Sequence, residues 1–159
     1  MTETERDRLD RNLEQLLQEL RVVLPGVQVL FAFLLAVPFS TRFNEVDGFE
    51  RVVFFVALSF TAVSVVLLMA PSIQHRILFR HNQKPYLVHA GTILTIAGMT
   101  ALAVAMTLSI MLVAEFLYGY WAASIAAATA VVSIATIWYA LPIDRRRHAG
   151  PPRDDPDYQ

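Results

Sequence analysis

The sequence predicts an all-α fold: a four-helix transmembrane bundle preceded by an N-terminal amphipathic interfacial helix. Three observations point to it. Four apolar segments, at 22–40, 52–70, 86–114 and 120–141, are long enough to cross hydrocarbon as helices at about 1.5 Å per residue. Composition agrees, with 55% apolar and 17% charged residues and a mean hydropathy of +0.47, and the charges crowd into the ends and connections instead of spreading along amphipathic elements. Third, eleven of the 13 Lys and Arg residues fall in three stretches: Arg6, Arg8, Arg11 and Arg21; Arg76, Arg80 and Lys84; and Arg145, Arg146, Arg147 and Arg153. Only Arg42 and Arg51 lie elsewhere. The positive-inside rule then predicts that both termini and the middle connection face the cytoplasm.

Each element has its own justification. In residues 1–21, Leu9, Leu13, Leu16, Leu17 and Leu20 recur at helical spacing and form one apolar stripe. That stripe predicts a helix lying in the membrane interface or against the cytoplasmic ends of the bundle. This polar start is unlike a secretory signal, so the first apolar segment is expected to be retained as a span. Pro25 and Gly26 predict a kink between the amphipathic helix and that span. The second span is expected to stop at Pro71, and the fourth to be closed by Pro142. The third apolar segment is the longest, which predicts tilt or an extension beyond the bilayer. Phe116, Tyr118, Tyr120 and Trp121 around Gly119 predict a tight hairpin at headgroup level, and Trp138 and Tyr139 an aromatic anchor at the other face. Residues 22–143 form the membrane domain, and the charged, Pro-rich 144–159 is expected to be a disordered cytoplasmic tail.

Four features are candidates for function. Glu14, Gln18, Arg21 and Gln28 share one face of a continuous helix, with Glu115 the only carboxylate within or at the edge of a span. They read either as a hydrated path for a proton or cation, or as a wet helix face with a glutamine hydrogen-bonding across the bundle. His75, Arg76, Arg80 and Lys84 read as a contact for anionic lipid or an acidic partner, or simply as topology determinants. Ala97, Ala101, Ala105 and Ser109, with Ala122, Ala126 and Ala130, form small-residue ladders that predict close packing of the third helix on the fourth, or oligomerisation. No metal site is expected, because the histidines lack ligand spacing and companion carboxylates, and the chain has no cysteine. No phosphate loop, His-Glu-x-x-His or nucleophile elbow occurs, so neither an enzyme nor a cofactor is expected.

The stretch Glu14-Gln-Leu-Leu-Gln-Glu-Leu-Arg21, continuing through Pro25-Gly26-Val-Gln28 to Pro38-Phe39 and Arg42-Phe43, carries a resemblance together with Ala70-Pro71, His75-Arg76 and Phe79-Arg80. Over residues 14–148 the chain resembles a domain-of-unknown-function family of small four-helix membrane proteins, found chiefly in actinobacteria and sometimes automatically labelled sodium/proton antiporters. The resemblance implies a bacterial inner-membrane location and brings no catalytic or binding residues. Two functional expectations follow. One is a non-enzymatic accessory, scaffolding or assembly partner of another membrane component. The other is a homo-oligomeric small transporter or channel for cations or protons, with Gln28 or Glu115 lining the path. The expected partners are the lipid bilayer and a membrane protein or second copy, with no nucleic acid.

Overall fold

The structure, a computed structural model, describes residues 3–78 and 84–148. Helix α1 runs Glu3–Ala36 and is followed by two 3-10 turns, Val37–Phe39 and Thr41–Glu45. Helix α2 (Gly48–Leu78) and helix α3 (Lys84–Tyr118) come next, then α4 (Tyr120–Ile134), a π-helical segment (Ala135–Ala140) and α5 (Leu141–His148). The last three form one continuous rod, so four long helices make up the described residues, with no strand. Each is long and apolar enough to span: Arg11–Phe39, Gly48–Ile77, Leu87–Tyr118 and Tyr120–Arg145.

Helix starts and turns follow from local chemistry. Asp47 and Glu50 form a reciprocal cap on α2: Glu50 N–H donates to Asp47 Oδ1 at 2.7 Å and Asp47 N–H to Glu50 Oε2 at 2.9 Å. Between α3 and α4, Gly119 takes φ +83°, a left-handed conformation that suits a residue without Cβ.

Two proline-based expectations are corrected, the stops at Pro71 and Pro142. Helix α1 continues through Pro25, so the amphipathic stretch and the first span are one helix. Leu13, Leu20, Val27 and Leu34 recur every seven residues and are all buried, which keeps one packed face on both sides of the proline. Helix α2 continues past Pro71 to Leu78; a Cβ on Gly91 would lie 3.6 Å from Pro71 Cβ, so this proline fits against a glycine of α3. The fourth rod continues past Pro142, and its helix extends the expected end of order from Asp144 to His148. The preceding π turn resets the hydrogen-bond pattern near a residue that has no N–H to give. His148 Nδ1 then lies 2.9 Å from the Asp144 carbonyl and 3.4 Å from its carboxylate. Residues 149–159 of the expected tail lie outside the described residues, as does the side chain of Leu9.

The all-α, four-helix reading holds, but the packing is open. Helix α3 is apolar around its circumference and touches each of the others. Helix α1 lies in the groove between α2 and α3, with Leu20, Val27, Leu68 and Leu102 as its core. Helix α4 packs on α3 and reaches neither α1 nor α2 among the described residues.

The small-residue ladders divide between two interfaces, which corrects their expected pairing. Ala101 and Ala105 are buried, and Ala105 lies seven residues past Gly98, whose carbonyl accepts the buried Ser64 hydroxyl of α2 at 2.8 Å. This ladder therefore faces α2, while the exposed Ala97 lies off its packed line. On α4, the buried Ala123 with half-buried Ala126 and Ala130 forms the face toward α3. Both ladders mark helix contacts, but not with each other. Helices in lipid gain little from apolar burial against one another, so close backbone approach and interhelical hydrogen bonds set these contacts.

Candidate functional site

Depth in the membrane is fixed by contacts along α3. A Cβ built on Gly91 would meet both Leu16 of α1, at 3.7 Å, and Pro71 of α2, at 3.6 Å, so these three positions share a level. Gln28 is twelve residues beyond Leu16, about 18 Å along the helix, and so lies level with Ala103 of α3 and Ser59 of α2. Those positions are close to the midpoints of the spans Leu87–Tyr118 and Gly48–Ile77. Gln28 thus sits near the middle of the candidate spans.

Its direction is as informative as its depth. Glu14, Gln18, Arg21 and Gln28 are all exposed; Glu14, Arg21 and Gln28 each follow a buried residue (Leu13, Leu20, Val27) and so lie about 100° round the helix from the packed face, on its flank. The polar line is brought together on one strip, as its spacing requires, and the strip is exposed along the flank of α1. Within a single chain it does not line a path. Pro25 and Ala32 occupy the same exposed strip between and beyond the polar groups, leaving a narrow, low-relief surface. Arg21 lies about 10 Å below Gln28, where its stem can follow the helix and carry the guanidinium toward the aqueous side.

Glu115 stands apart from that strip, at the other end of α3, one turn before Gly119, whose N–H donates to the Glu115 carbonyl at 2.8 Å. Its Oε2 atom is buried and meets no hydrogen-bond partner among the described residues. Gln74 Oε1 and Thr95 Oγ1 are in the same condition. Thr95 lines a cleft of about 350 Å³ between α1 and α3, with Asn12, Gln15 and Glu19 on its far wall. Of the basic segment, Arg76 is exposed and His75 half-buried on the last turns of α2. Arg80 and the side chain of Lys84 lie outside the described residues.

One polar pair crosses between helices at the α3–α4 contact. The Tyr139 hydroxyl and the Thr100 hydroxyl are 2.7 Å apart. On an ideal α-helix, Tyr139 would be sixteen residues from Ala123 and nearly opposite it. The π segment 135–140 sets the pattern back by about one residue, roughly 100°, and turns Tyr139 toward α3. The tyrosine expected as an interfacial anchor therefore has its hydroxyl engaged within the protein.

Sequence reasoning missed one feature: a cleft of about 500 Å³ at the end of the molecule remote from Glu3 and His148, between α1, the 3-10 turns, α2 and α3. The Asp47–Glu50 cap beside it was legible, but the cleft depends on how three helix ends diverge. Comparison with known proteins adds one match. No curated protein and no solved structure matches the chain. The family of unknown function DUF6328 matches residues 2–142, nearly the whole membrane domain and the helix before it, and the chain belongs to that family.

Proposed function

We propose that the chain is a non-enzymatic protein of the bacterial inner membrane, with both termini cytoplasmic, that serves as an accessory or assembly partner of another membrane component. The docking surface is the outward strip of α1. One observation carries this reading: Gln28 is exposed on α1 and level with the middle of the candidate spans, so in a bilayer its amide would meet lipid chains unless a partner covers it. A carboxamide has two donors and an acceptor with two lone pairs, and lipid chains satisfy none of them. Leaving such a group unpaired in an apolar medium costs several kcal/mol, so a second polypeptide that hydrogen-bonds it is the stable arrangement. The distribution of Lys and Arg supports the orientation.

The test compares wild type with Gln28→Leu, purified in mild detergent from native membranes after crosslinking. A hydrogen bond across membrane helices is worth about 0.6–1.7 kcal/mol, so recovery of the partner should fall about three- to twenty-fold. The variant's own thermal stability should be unchanged, because Gln28 is exposed. Undiminished recovery would overturn the reading.

A second reading, a homo-oligomeric cation or proton transporter, is favoured by the same strip. Outward polar groups can line a path once a second copy closes over them. Coupled exchange needs a titrating group, and an amide does not titrate. Protein in liposomes under an imposed pH gradient is expected to show no Na⁺-dependent proton flux above empty vesicles. Flux that disappears in Gln28→Leu or Glu115→Gln would establish the transporter reading instead.

A further inference from the structure

The cleft remote from the termini lies in the bilayer leaflet on that side. Leu34, on its wall, is eighteen residues beyond Leu16 and therefore level with Ser109, and the α3 lining runs from Ser109 to Leu117. The cleft thus occupies a layer about 12 Å deep, from well inside the hydrocarbon to the headgroup level. Its inner part is apolar, formed by Leu34, Phe54 and Leu112. Phe43 packs edge-to-face on Phe54, with ring centroids 5.3 Å apart and planes at 69°, and so fixes one wall. Ser109, the one polar group at this depth, already donates its hydroxyl to the Ala105 carbonyl at 2.8 Å.

Polar chemistry gathers at the mouth. Ser40, Thr41 and Glu50 line it, and Glu50 is held in place by the α2 cap. The neighbouring Arg51 donates from Nε to the Val46 carbonyl at 3.1 Å and from Nη2 to the Asn44 carbonyl at 3.5 Å, and Val46 is itself part of the wall. A guanidinium carries five donors, so Arg51 keeps others to offer. A fixed carboxylate, Glu50, therefore lines the mouth of an apolar slot, and a fixed guanidinium, Arg51, is anchored beside it on the carbonyl of the wall residue Val46.

We propose that this cleft binds a membrane phospholipid with a zwitterionic, amine-bearing headgroup. One acyl chain fills the slot, the phosphate meets Arg51 and the ammonium meets Glu50. The volume is within the usual range for a small-molecule site, and the apolar-to-polar gradient runs in the direction in which a lipid of that leaflet is oriented. Paired charges of both signs match a zwitterion, whereas a purely anionic headgroup would have to sit against Glu50.

The experiment uses full-length protein stripped to its tightly held lipid. It is then offered equal amounts of ethanolamine- and glycerol-headed phospholipids with identical chains and examined by native mass spectrometry. Wild type should retain one phospholipid, with the ethanolamine head preferred about tenfold. Leu112→Trp, which fills the slot, should lower retention to the detergent background. Glu50→Gln, which can still cap α2, should keep the tail bound and lose the headgroup preference. Undiminished retention in Leu112→Trp, or an equal or greater yield of the glycerol-headed lipid on wild type, would overturn the proposal. Should Leu112→Trp fail to fold, wild type is labelled with an ethanolamine-headed lipid carrying a photoreactive chain. Adducts concentrated at 109–117 would support the site, and adducts no denser there than around exposed Phe33 and Ile93 would overturn it.

Discussion

Replacing Gly98 with Ala tests the contact that joins α2 to α3. A Cβ there would lie 2.8 Å from Leu68 Cγ, 2.9 Å from Leu68 Cδ2 and 3.2 Å from Leu67 Cβ. Leu68 is 0% exposed, and the atom struck hardest is its branch carbon, not a free side-chain end. The clash is therefore relieved mainly by moving the helices apart. Overpacking of this kind costs about 1–3 kcal/mol. Separation also lengthens the 2.8 Å bond from Ser64 Oγ to the Gly98 carbonyl, worth about 0.6 kcal/mol on average between membrane helices. Against this, Ala gains up to about 1 kcal/mol over Gly in helix propensity. Losses outweigh the gain, and Gly98→Ala should destabilise the protein by about 1–2 kcal/mol. Gly26→Ala on α1 is the matched control, since nothing lies within 4 Å of its Cβ position and it reports the propensity gain alone. Equilibrium unfolding in mixed micelles measures both. Leu68→Ala in the Gly98→Ala background should cost less than the separate effects predict, because the cavity accepts the new methyl. A Gly98→Ala variant as stable as Gly26→Ala, or a double variant that is simply additive, would refute the close-approach argument.

Other outcomes follow from the same structure. Tyr139→Phe should lose about 0.6–1.7 kcal/mol and loosen α4 from α3, measured as increased proteolysis after Gly119 with the core protected. Asp47→Ala should remove one arm of the α2 cap and cost about 1 kcal/mol in the same unfolding assay. For topology, single cysteines placed near Asp47 and Gly119 of this cysteine-free chain should react with an impermeant reagent in intact cells, and those near Asn82 and Asp155 only after lysis.

What was legible in the sequence was whatever depends on hydrocarbon as solvent. Number and length of the helices follow from the need to pair every backbone group within its own segment, which leaves the four apolar runs no other form. Pro71 and Pro142 misled for a reason in the same physics. In water a proline commonly ends a helix because solvent takes up the freed carbonyl; in lipid the lower-cost course is to continue, with a glycine opposite (Gly91) or a π turn before it. Partner choice was hidden because a ladder such as Ala101 and Ala105 states that some helix comes close, not which one. The direction of Gln28 was hidden for the converse reason. A mid-span glutamine suggests an inward hydrogen bond, and only the packing of Leu20 and Val27 into the α2–α3 groove leaves Gln28, about 100° round the helix, exposed.

The two ends of the helix array therefore stand in different conditions. Helices α1, α2 and α3 share a core and two close contacts at glycine, whereas α4 rests on α3 through alanines and the Thr100–Tyr139 bond. Lipid is as apolar as the exposed face of α4, so no solvent force presses that helix home. Its position is held by a hydrogen bond worth on the order of 1 kcal/mol, by the fit of small side chains and by the short tether at Gly119. On the other flank, α1 packs into the α2–α3 groove through Leu20 and Val27 and presents the exposed polar strip. In the proposed assembly role, the exposed strip on α1 is the part that would bind a partner, and α4, which packs on α3 alone among the described residues, the part that would register it.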